Sequence, residues 1–180
     1  PELFARIVAT NTFLPTGSEK LPEAFFFWRE LSQQVPELDV GTAIQNATTT
    51  HVPLTVLDAY RAPFPDESYK AGVRAFPMLV PTTPDAPGAA DNARAWEALE
   101  TFERPFLCAF SDSDPITAGA GDTMRERIAG AREVEPVVIR GAHHFVQEDR
   151  GPELARAILE FLLKYPLPKL ERKKPAEPAA

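Results

Sequence analysis

The sequence has little of several features that would place a protein in a class at once. One cysteine excludes an internal disulfide, and three histidines give no convincing metal-binding set. No apolar run approaches the length that spans a bilayer, and no glycine-rich loop is present to cradle a phosphate. The formal net charge of −7 argues against a nucleic-acid-binding surface. We therefore expect no metal, no cofactor, no nucleic acid and no membrane as partners.

A nucleophile on a sharp turn is also missing. The sequence contains no Gly-x-Ser-x-Gly, the turn that exposes a nucleophilic serine between a strand and a helix, and no other strand–nucleophile–helix turn precedes Asp114. Cys108 lies within an apolar run, where a thiol is expected to be an inert part of the core. If the chain takes part in catalysis, the nucleophile is expected to come from elsewhere.

Apolar and β-branched segments predict buried parallel strands separated by helices. Residues 35–90 contain eight prolines and no strand pattern, which indicates an all-helical insertion. The order predicts an α/β fold, namely the rear half of a parallel sheet with a helical lid, or cap. The strands are predicted over 7–12, 106–110 and 134–139, and the helices over 21–34, 92–102, 121–129 and 151–163.

Four segments follow from this order. Residues 1–15 form a core strand, residues 16–90 the helical cap, and residues 91–163 the rest of the core. Residues 164–180, rich in proline, lysine and glutamate, are predicted to be a disordered tail. Because three strands bury little apolar surface, we expect the 180-residue chain by itself to be poorly folded or to aggregate.

A histidine loop follows the third strand. Residues Gly141–Phe145 (GAHHF) lie between this strand and the last helix, which is where α/β-hydrolases carry their general base. His144 is our candidate, since imidazole exchanges a proton near neutral pH. His143 is the alternative, but adjacent side chains diverge, so only one of the two can face a site.

Asp114 is the candidate acid beside this histidine. It follows the second strand, and Pro115 ends the loop where its carboxylate projects. A carboxylate there holds the imidazole in one tautomer and stabilises the imidazolium when it forms. Asp112 is the competing acid, and the simpler structural interpretation is that both aspartates cap a turn.

Trp28 is the candidate for binding an anion. It closes the run Phe25–Trp28, four aromatic residues that cannot all lie on one face of a helix. The indole N–H donates and cannot accept, so it suits an anion such as halide in an apolar pocket. Packing in the core is the alternative.

Taken together, these segments resemble the C-terminal part of the haloalkane dehalogenases, members of the α/β-hydrolase superfamily. The resemblance runs from the first residues to about Leu163. The stretch over 62–77 is the most specific, whereas glycine–histidine loops are common in the superfamily. The segments that carry it are Phe4–Thr12 (FARIVATNT), Ala62–Pro77 (APFPDESYKAGVRAFP), Phe110–Pro115 (FSDSDP) and Gly141–Glu148 (GAHHFVQE).

The resemblance implies a hydrolase that converts a small apolar halogenated substrate into an alcohol and a halide ion. An aspartate outside this chain, followed by a tryptophan, would displace the halide and form an alkyl-enzyme ester. His144, oriented by Asp114, would activate the water that hydrolyses the ester, and Trp28 would help to hold the halide. The substrate pocket would include Phe25, Phe76, Pro77 and Val80. The 180-residue chain alone is then predicted to be inactive.

Two positions bear on how closely the chain follows the family. Some dehalogenases take their acid from the strand before the lid, where this sequence reads Asn11-Thr12-Phe13, so the resemblance assigns the acid to Asp114. The family usually has glycine where His143 stands, and a side chain there is expected to crowd the base or to need an unusual backbone. We expect the complete protein to be a cytoplasmic monomer.

Two other functions remain open from the residues alone. An epoxide hydrolase uses the same histidine–aspartate pair but needs lid tyrosines to protonate the epoxide, and Tyr60 and Tyr69 lie in the lid segment. An esterase with a serine nucleophile is a more distant possibility. The alternative from another class is a catalytically inactive fragment.

Overall fold

The computed structural model describes residues 3–167. Most of the tail predicted over 164–180 therefore lies outside the described residues. Three strands are formed, β1 (Ile7–Ala9), β2 (Phe106–Ser111) and β3 (Val137–Ile139). The helices are α1 (Glu23–Gln34), α2 (Val40–Asn46), α3 (Leu54–Arg61), α4 (Ala71–Leu79), α5 (Ala89–Glu100), α6 (Ala120–Arg127), α7 (Ala129–Arg132) and α8 (Val146–Lys164), with a short 3-10 helix over Glu67–Lys70.

The three strands form one parallel sheet in the order β1-β2-β3. Val8 pairs with Leu107, and Phe110 pairs with Val138. Parallel strands all end at the same edge of a sheet, so the loops that follow β1, β2 and β3 meet there. This edge is where the sequence placed the candidate acid and base.

Helices cover both faces of β2, whose side chains alternate between two cores. Leu107 and Ala109 pack on the side of α8, in a cluster that includes Val146 and Phe161. Phe106 and Cys108 pack on the other side, with Trp96, Met124 and Ile128. A strand buried on both faces is typical of an α/β protein, and the predicted fold class is confirmed.

The chain between β1 and α5 contains only helices among its regular elements. In this segment α1 packs against α4 and α2 packs against α3. Arg74 of α4 donates to the carbonyl oxygen of Ser32 at 2.7 Å, and Gln33 donates to the carbonyl oxygen of Arg74 at 2.7 Å. The all-helical composition expected of residues 35–90 is confirmed, whereas the division of the chain into core and cap stays a prediction.

Several boundaries differ from the sequence prediction. The first strand ends at Ala9 instead of residue 12, because Asn11 adopts a left-handed backbone with φ +38°. The helix predicted over 121–129 is divided in two by Ile128, which is extended with φ −88° and ψ 120°. The third strand starts at Val137, directly after Pro136, instead of at Val134.

The last helix was predicted to begin at Gly151, but α8 begins at Val146, directly after the histidine loop. Arg150 is non-helical, with φ −143° and ψ 41°, so the two halves of α8 meet at a kink just before Pro152. The predicted start relied on Pro152, which lies at the beginning of the second half of α8 and gives no signal for the first half. None of the helices within residues 3–167 is long and apolar enough to cross a membrane.

Candidate active site

His144 and Asp114 lie together at the carboxyl edge of the sheet. The Nδ1 atom of His144 is 2.9 Å from Oδ2 of Asp114. The aspartate side chain is almost fully buried, whereas the histidine side chain keeps 28% of its surface exposed. The pair thus combines a buried carboxylate with an imidazole that solvent or a substrate can reach.

Asp114 is held as a carboxylate by several donors. Its Oδ1 accepts from the backbone N–H of Ile116 at 2.8 Å, and Oδ2 accepts from the hydroxyl of Thr117. Burial raises the pKa of Asp114, but the hydrogen bonds from His144, Thr117 and Ile116 outweigh it, and the pKa is lowered overall. An ionised carboxylate can only accept, so Nδ1 of His144 carries the proton and Nε2 is left as the basic nitrogen.

Asp112, the competing acid, has a different partner. Its Oδ1 accepts from the backbone N–H of Gly141 at 2.8 Å, and this bond is the main cause of its lowered pKa. Asp112 therefore stabilises the start of the histidine loop, a contact that the interpretation as a cap of its own turn did not predict. Asp114, which also accepts from its own loop, is the aspartate that contacts the imidazole.

The backbone of the histidine loop turns at Gly141, with φ +68°. Among residues 3–167, Asn11 is the only non-glycine residue with a positive φ, so His143 has no left-handed backbone. His143 therefore does not need the left-handed backbone that a glycine position can require, since Gly141, two residues earlier, has the positive φ of this loop. That the His143 side chain crowds the base stays a prediction. The Nδ1 atom of His143 is buried and has no hydrogen-bond partner within the described part of the chain.

Asn11 is a residue of this edge for which the sequence indicated no role beyond the lack of a carboxylate after the first strand. Its side-chain nitrogen donates to the carbonyl oxygens of His143 and His144, at 2.8 and 2.9 Å, and to the hydroxyl of Ser111 at 2.7 Å. Its side-chain oxygen accepts from the backbone N–H of Ser111 at 2.9 Å. Asn11 thus connects the ends of all three strands. Asparagine tolerates a left-handed backbone, which is the one feature of the sequence that could have indicated it.

The other predicted site residues lie on two adjacent helices, α1 and α4. Trp28 of α1 is half-buried, and its indole nitrogen has no hydrogen-bond partner within residues 3–167. Phe25 is buried and packs edge-on against Phe13, with the ring centres 6.1 Å apart. On α4, Pro77 is buried, whereas the side chain of Phe76 is 71% exposed. Val80, the residue after α4, is half-buried.

A cavity of about 250 Å³ lies beside the acid loop, and its wall includes none of these five residues. The residues that form this wall include Phe13, Leu14, Trp96, Ile116 and Met124. The structure therefore brings the predicted acid and base together, and it packs α1 against α4, while the role of the five residues in a pocket stays a prediction.

Two further residues discussed from the sequence have defined surroundings. Cys108 is buried, and burial raises the pKa of its thiol to about 11, so it is the inert core residue expected. Tyr60 donates its hydroxyl to Oε1 of Glu148 at 2.6 Å. Tyr69 lies on the surface, with 60% of the residue exposed.

Individual proteins of known family match this chain strongly, although no protein-family model matches it. A haloalkane dehalogenase of Psychrobacter cryohalolentis is 46% identical over 162 residues, which are 90% of this chain and 54% of that protein. A haloalkane dehalogenase of Mycobacterium marinum is 44% identical over 160 residues, again 54% of its length. The chain thus spans about half the length of the curated relatives it matches.

Solved structures agree with this relationship. The haloalkane dehalogenase DpaA of Paraglaciecola agarilytica, described as tetrameric, superposes with a TM-score of 0.77 at 31% identity, over 87% of this chain and 52% of that one. A thermophilic esterase superposes with a TM-score of 0.62 at 20% identity, over 92% of this chain and 58% of that one, and shows the shared fold alone. By sequence and by fold, most of this chain is similar to about half of each of these haloalkane dehalogenases, the family that its motifs resemble.

Proposed function

We propose that this chain supplies the base, the acid and part of the pocket of a haloalkane dehalogenase. The complete protein converts a small apolar halogenated substrate and water into an alcohol, a halide ion and a proton. The 2.9 Å contact between His144 Nδ1 and Asp114 Oδ2 is the observation that carries the proposal. The choice of reaction is supported by the two relatives that carry the name haloalkane dehalogenase.

The reaction has two steps, and this chain supplies the base and the acid of the second. An aspartate outside the chain attacks the carbon that bears the halogen, so a carbon–oxygen bond forms and the carbon–halogen bond breaks with its electron pair on the halide. Water then attacks the carbonyl carbon of the resulting ester, and Nε2 of His144 takes the proton of that water. Asp114 stabilises the imidazolium, which returns the proton to the departing alkoxide and so yields the alcohol.

We assign halide binding to Trp28 and the substrate pocket to Phe25, Phe76, Pro77 and Val80. Halide binding by Trp28 is supported by its half-buried position and by its indole N–H, which is unpaired within the described residues. The adjacency of α1 and α4 supports a common surface for the four pocket residues. Their apolar side chains suit a small alkyl group, which has no polar atom to bind.

The epoxide hydrolase alternative has less support. The relatives reported above carry the name haloalkane dehalogenase, which does not favour it. Tyr60 also donates its hydroxyl to Glu148, so its proton is engaged by a carboxylate.

The location of the protein in the cytoplasm and its monomeric state stay predictions. Because DpaA is described as tetrameric, the molecular mass of the complete protein in solution should be measured.

A trapping experiment tests the proposal in the complete protein. With 1-bromobutane, the unsubstituted protein is expected to release bromide continuously. His144→Gln is expected to release about one bromide per molecule and then to stop, because the histidine serves only the hydrolysis of the ester. Mass spectrometry should then find a butyl group bound to the protein. Absence of bromide release by the unsubstituted protein contradicts the proposal, and turnover of 1,2-epoxybutane instead supports the epoxide alternative.

A further inference from the structure

Asp149 is a buried carboxylate that the mechanism above does not use. It lies in the first turn of α8, five residues after His144, and only 7% of its surface is exposed. A buried charge is expensive unless hydrogen bonds compensate it, so its donors indicate what it is there to hold.

The carboxylate of Asp149 joins two loops. Oδ2 accepts from the backbone N–H of His143 at 2.8 Å. Oδ1 accepts from the backbone N–H and the hydroxyl of Thr50, at 2.8 and 2.7 Å, and from the backbone N–H of Thr49 at 2.9 Å. Asp149 therefore links the Ala142–His143 peptide, which begins the histidine pair, to the loop between α2 and α3.

Two direct bonds connect the same loops. The hydroxyl of Thr49 donates to the carbonyl oxygen of Gly141 at 2.8 Å, and the backbone N–H of Phe145 donates to the carbonyl oxygen of Ala47 at 3.1 Å. The Ala142–His143 peptide, through Asp149, and the His144–Phe145 peptide, directly, are thus both fixed to the α2–α3 loop, and they bracket the backbone that carries His144. A small rotation of this backbone would move Nδ1 of His144 away from Asp114.

We propose that Asp149 is a positioning residue for His144, and that it couples the α2–α3 loop of the helical segment to the base. It does not touch the reacting atoms. Its negative charge strengthens the hydrogen bonds that it accepts. The charge also interacts favourably with the positive, N-terminal end of the α8 dipole. The inference rests on the proposed role of His144, and the experiment below separates the two.

The test uses the complete protein and two independent readouts. The first is the NMR resonance of the Nδ1 proton of His144, assigned by its loss in His144→Gln. The second is the rate of bromide release from 1-bromobutane. Asp149→Asn is expected to shift the resonance and to lower kcat by about tenfold or more, with KM changed by less than about threefold, since misplacement of a catalytic group by a fraction of an ångström has effects of this size.

Thr50→Val provides a milder variant in case Asp149→Asn does not fold. It removes one donor to Asp149 and is expected to shift the same resonance in the same direction, by a smaller amount. Glu153→Gln is the matched control, because it removes an exposed carboxylate from the same helix and should change neither readout.

The outcomes separate the inference from the proposed function. An unchanged His144 resonance in Thr50→Val, or in a folded Asp149→Asn protein, overturns the positioning role whatever the activity. Normal turnover in His144→Gln overturns the role of His144 as base, while the resonance in the Asp149 variant still reports whether that residue orients the imidazole. A shifted resonance with a lowered kcat supports both.

Discussion

The hydroxyl of Tyr60 lies 2.6 Å from Oε1 of Glu148, and this bond connects α3 to the first turn of α8. Burial and the neighbouring carboxylate both raise the pKa of Tyr60, which makes its proton harder to give up. A tyrosine that serves as a general acid for an epoxide must direct its proton at the substrate. Tyr60 instead directs it at a side chain of its own protein.

Tyr60→Phe is therefore expected to leave bromide release from 1-bromobutane within about threefold of the unsubstituted protein, because loss of one hydrogen bond weakens a contact by about 1 kcal/mol without removing a catalytic group. Turnover should be measured beside that of Tyr69→Phe, which removes the hydroxyl of the exposed tyrosine. If the protein opens epoxides and Tyr60→Phe lowers that rate by about a hundredfold, the typical contribution of a general acid, the dehalogenase assignment is wrong.

Asp114→Asn tests the acid assignment against its nearest alternative. The amide cannot hold the imidazole in the required tautomer, so we expect ester hydrolysis to slow by roughly 10²–10⁴-fold. Asp112→Asn is the matched control, since it replaces a carboxylate two residues away that binds the backbone of Gly141. Stopped-flow measurement of alcohol formation should show a much smaller effect there. A larger loss in Asp112→Asn would assign the acid to Asp112 instead.

The sequence indicated the parallel sheet and the contact between Asp114 and His144 for one physical reason. Strands buried on both faces have a recognisable apolar composition, and residues that follow parallel strands must meet at one edge. Asn11 was missed because its function depends on a single left-handed backbone and on four hydrogen bonds to residues far along the chain. Neither leaves a periodic pattern.

Asp149 was missed for a related reason. An acidic residue beside Glu148 in the first turn of a helix is typical of an exposed helix start. Its burial is decided by the α2–α3 loop, which is about a hundred residues away in the sequence and covers it. Whether α1 and α4 contribute to one pocket could likewise not be predicted from their periodicity, because it defines which face of a helix is apolar and does not fix what lies opposite that face.

The stability of the protein is expected to fall in acid because of Asp149. Burial raises the pKa of this carboxyl, but the hydrogen bonds from His143, Thr49 and Thr50 lower it far below its ordinary value. A carboxyl group whose pKa is lower in the folded protein than in the unfolded chain stabilises the folded state fully when the pH is above the unfolded pKa of about 3.9. This stabilisation is lost progressively as the pH falls from there towards the pKa of the folded state.

We therefore expect the free energy of unfolding of the complete protein to decrease below about pH 4, and Asp149→Asn to reduce that slope by up to about 1.4 kcal/mol per pH unit, the value for one proton. Denaturant titrations between pH 3 and pH 6 measure both slopes. Glu153→Gln should retain the slope of the unsubstituted protein. Equal slopes in the Asp149 variant would show that its carboxylate is not preferentially ionised by folding.

His143→Gly introduces the residue that the resemblance to the haloalkane dehalogenases leads us to expect in the histidine loop. The loop uses the backbone N–H and carbonyl oxygen of His143, which glycine retains, whereas the Nδ1 atom of this side chain is buried without a partner among the described residues. Removing an unpaired buried polar atom favours the folded state by about 1–3 kcal/mol, and the added backbone freedom of glycine opposes this by roughly 0.5–1 kcal/mol.

We expect kcat/KM of His143→Gly to lie within about threefold of the unsubstituted value or above it, since the substitution leaves no reacting group altered. Steady-state bromide release at several substrate concentrations gives this ratio. His144→Gly, one position later, is the matched control and should abolish steady turnover. A hundredfold loss in His143→Gly would instead mean that the His143 imidazole takes part in proton transfer, and the base would then have to be assigned to the pair of histidines.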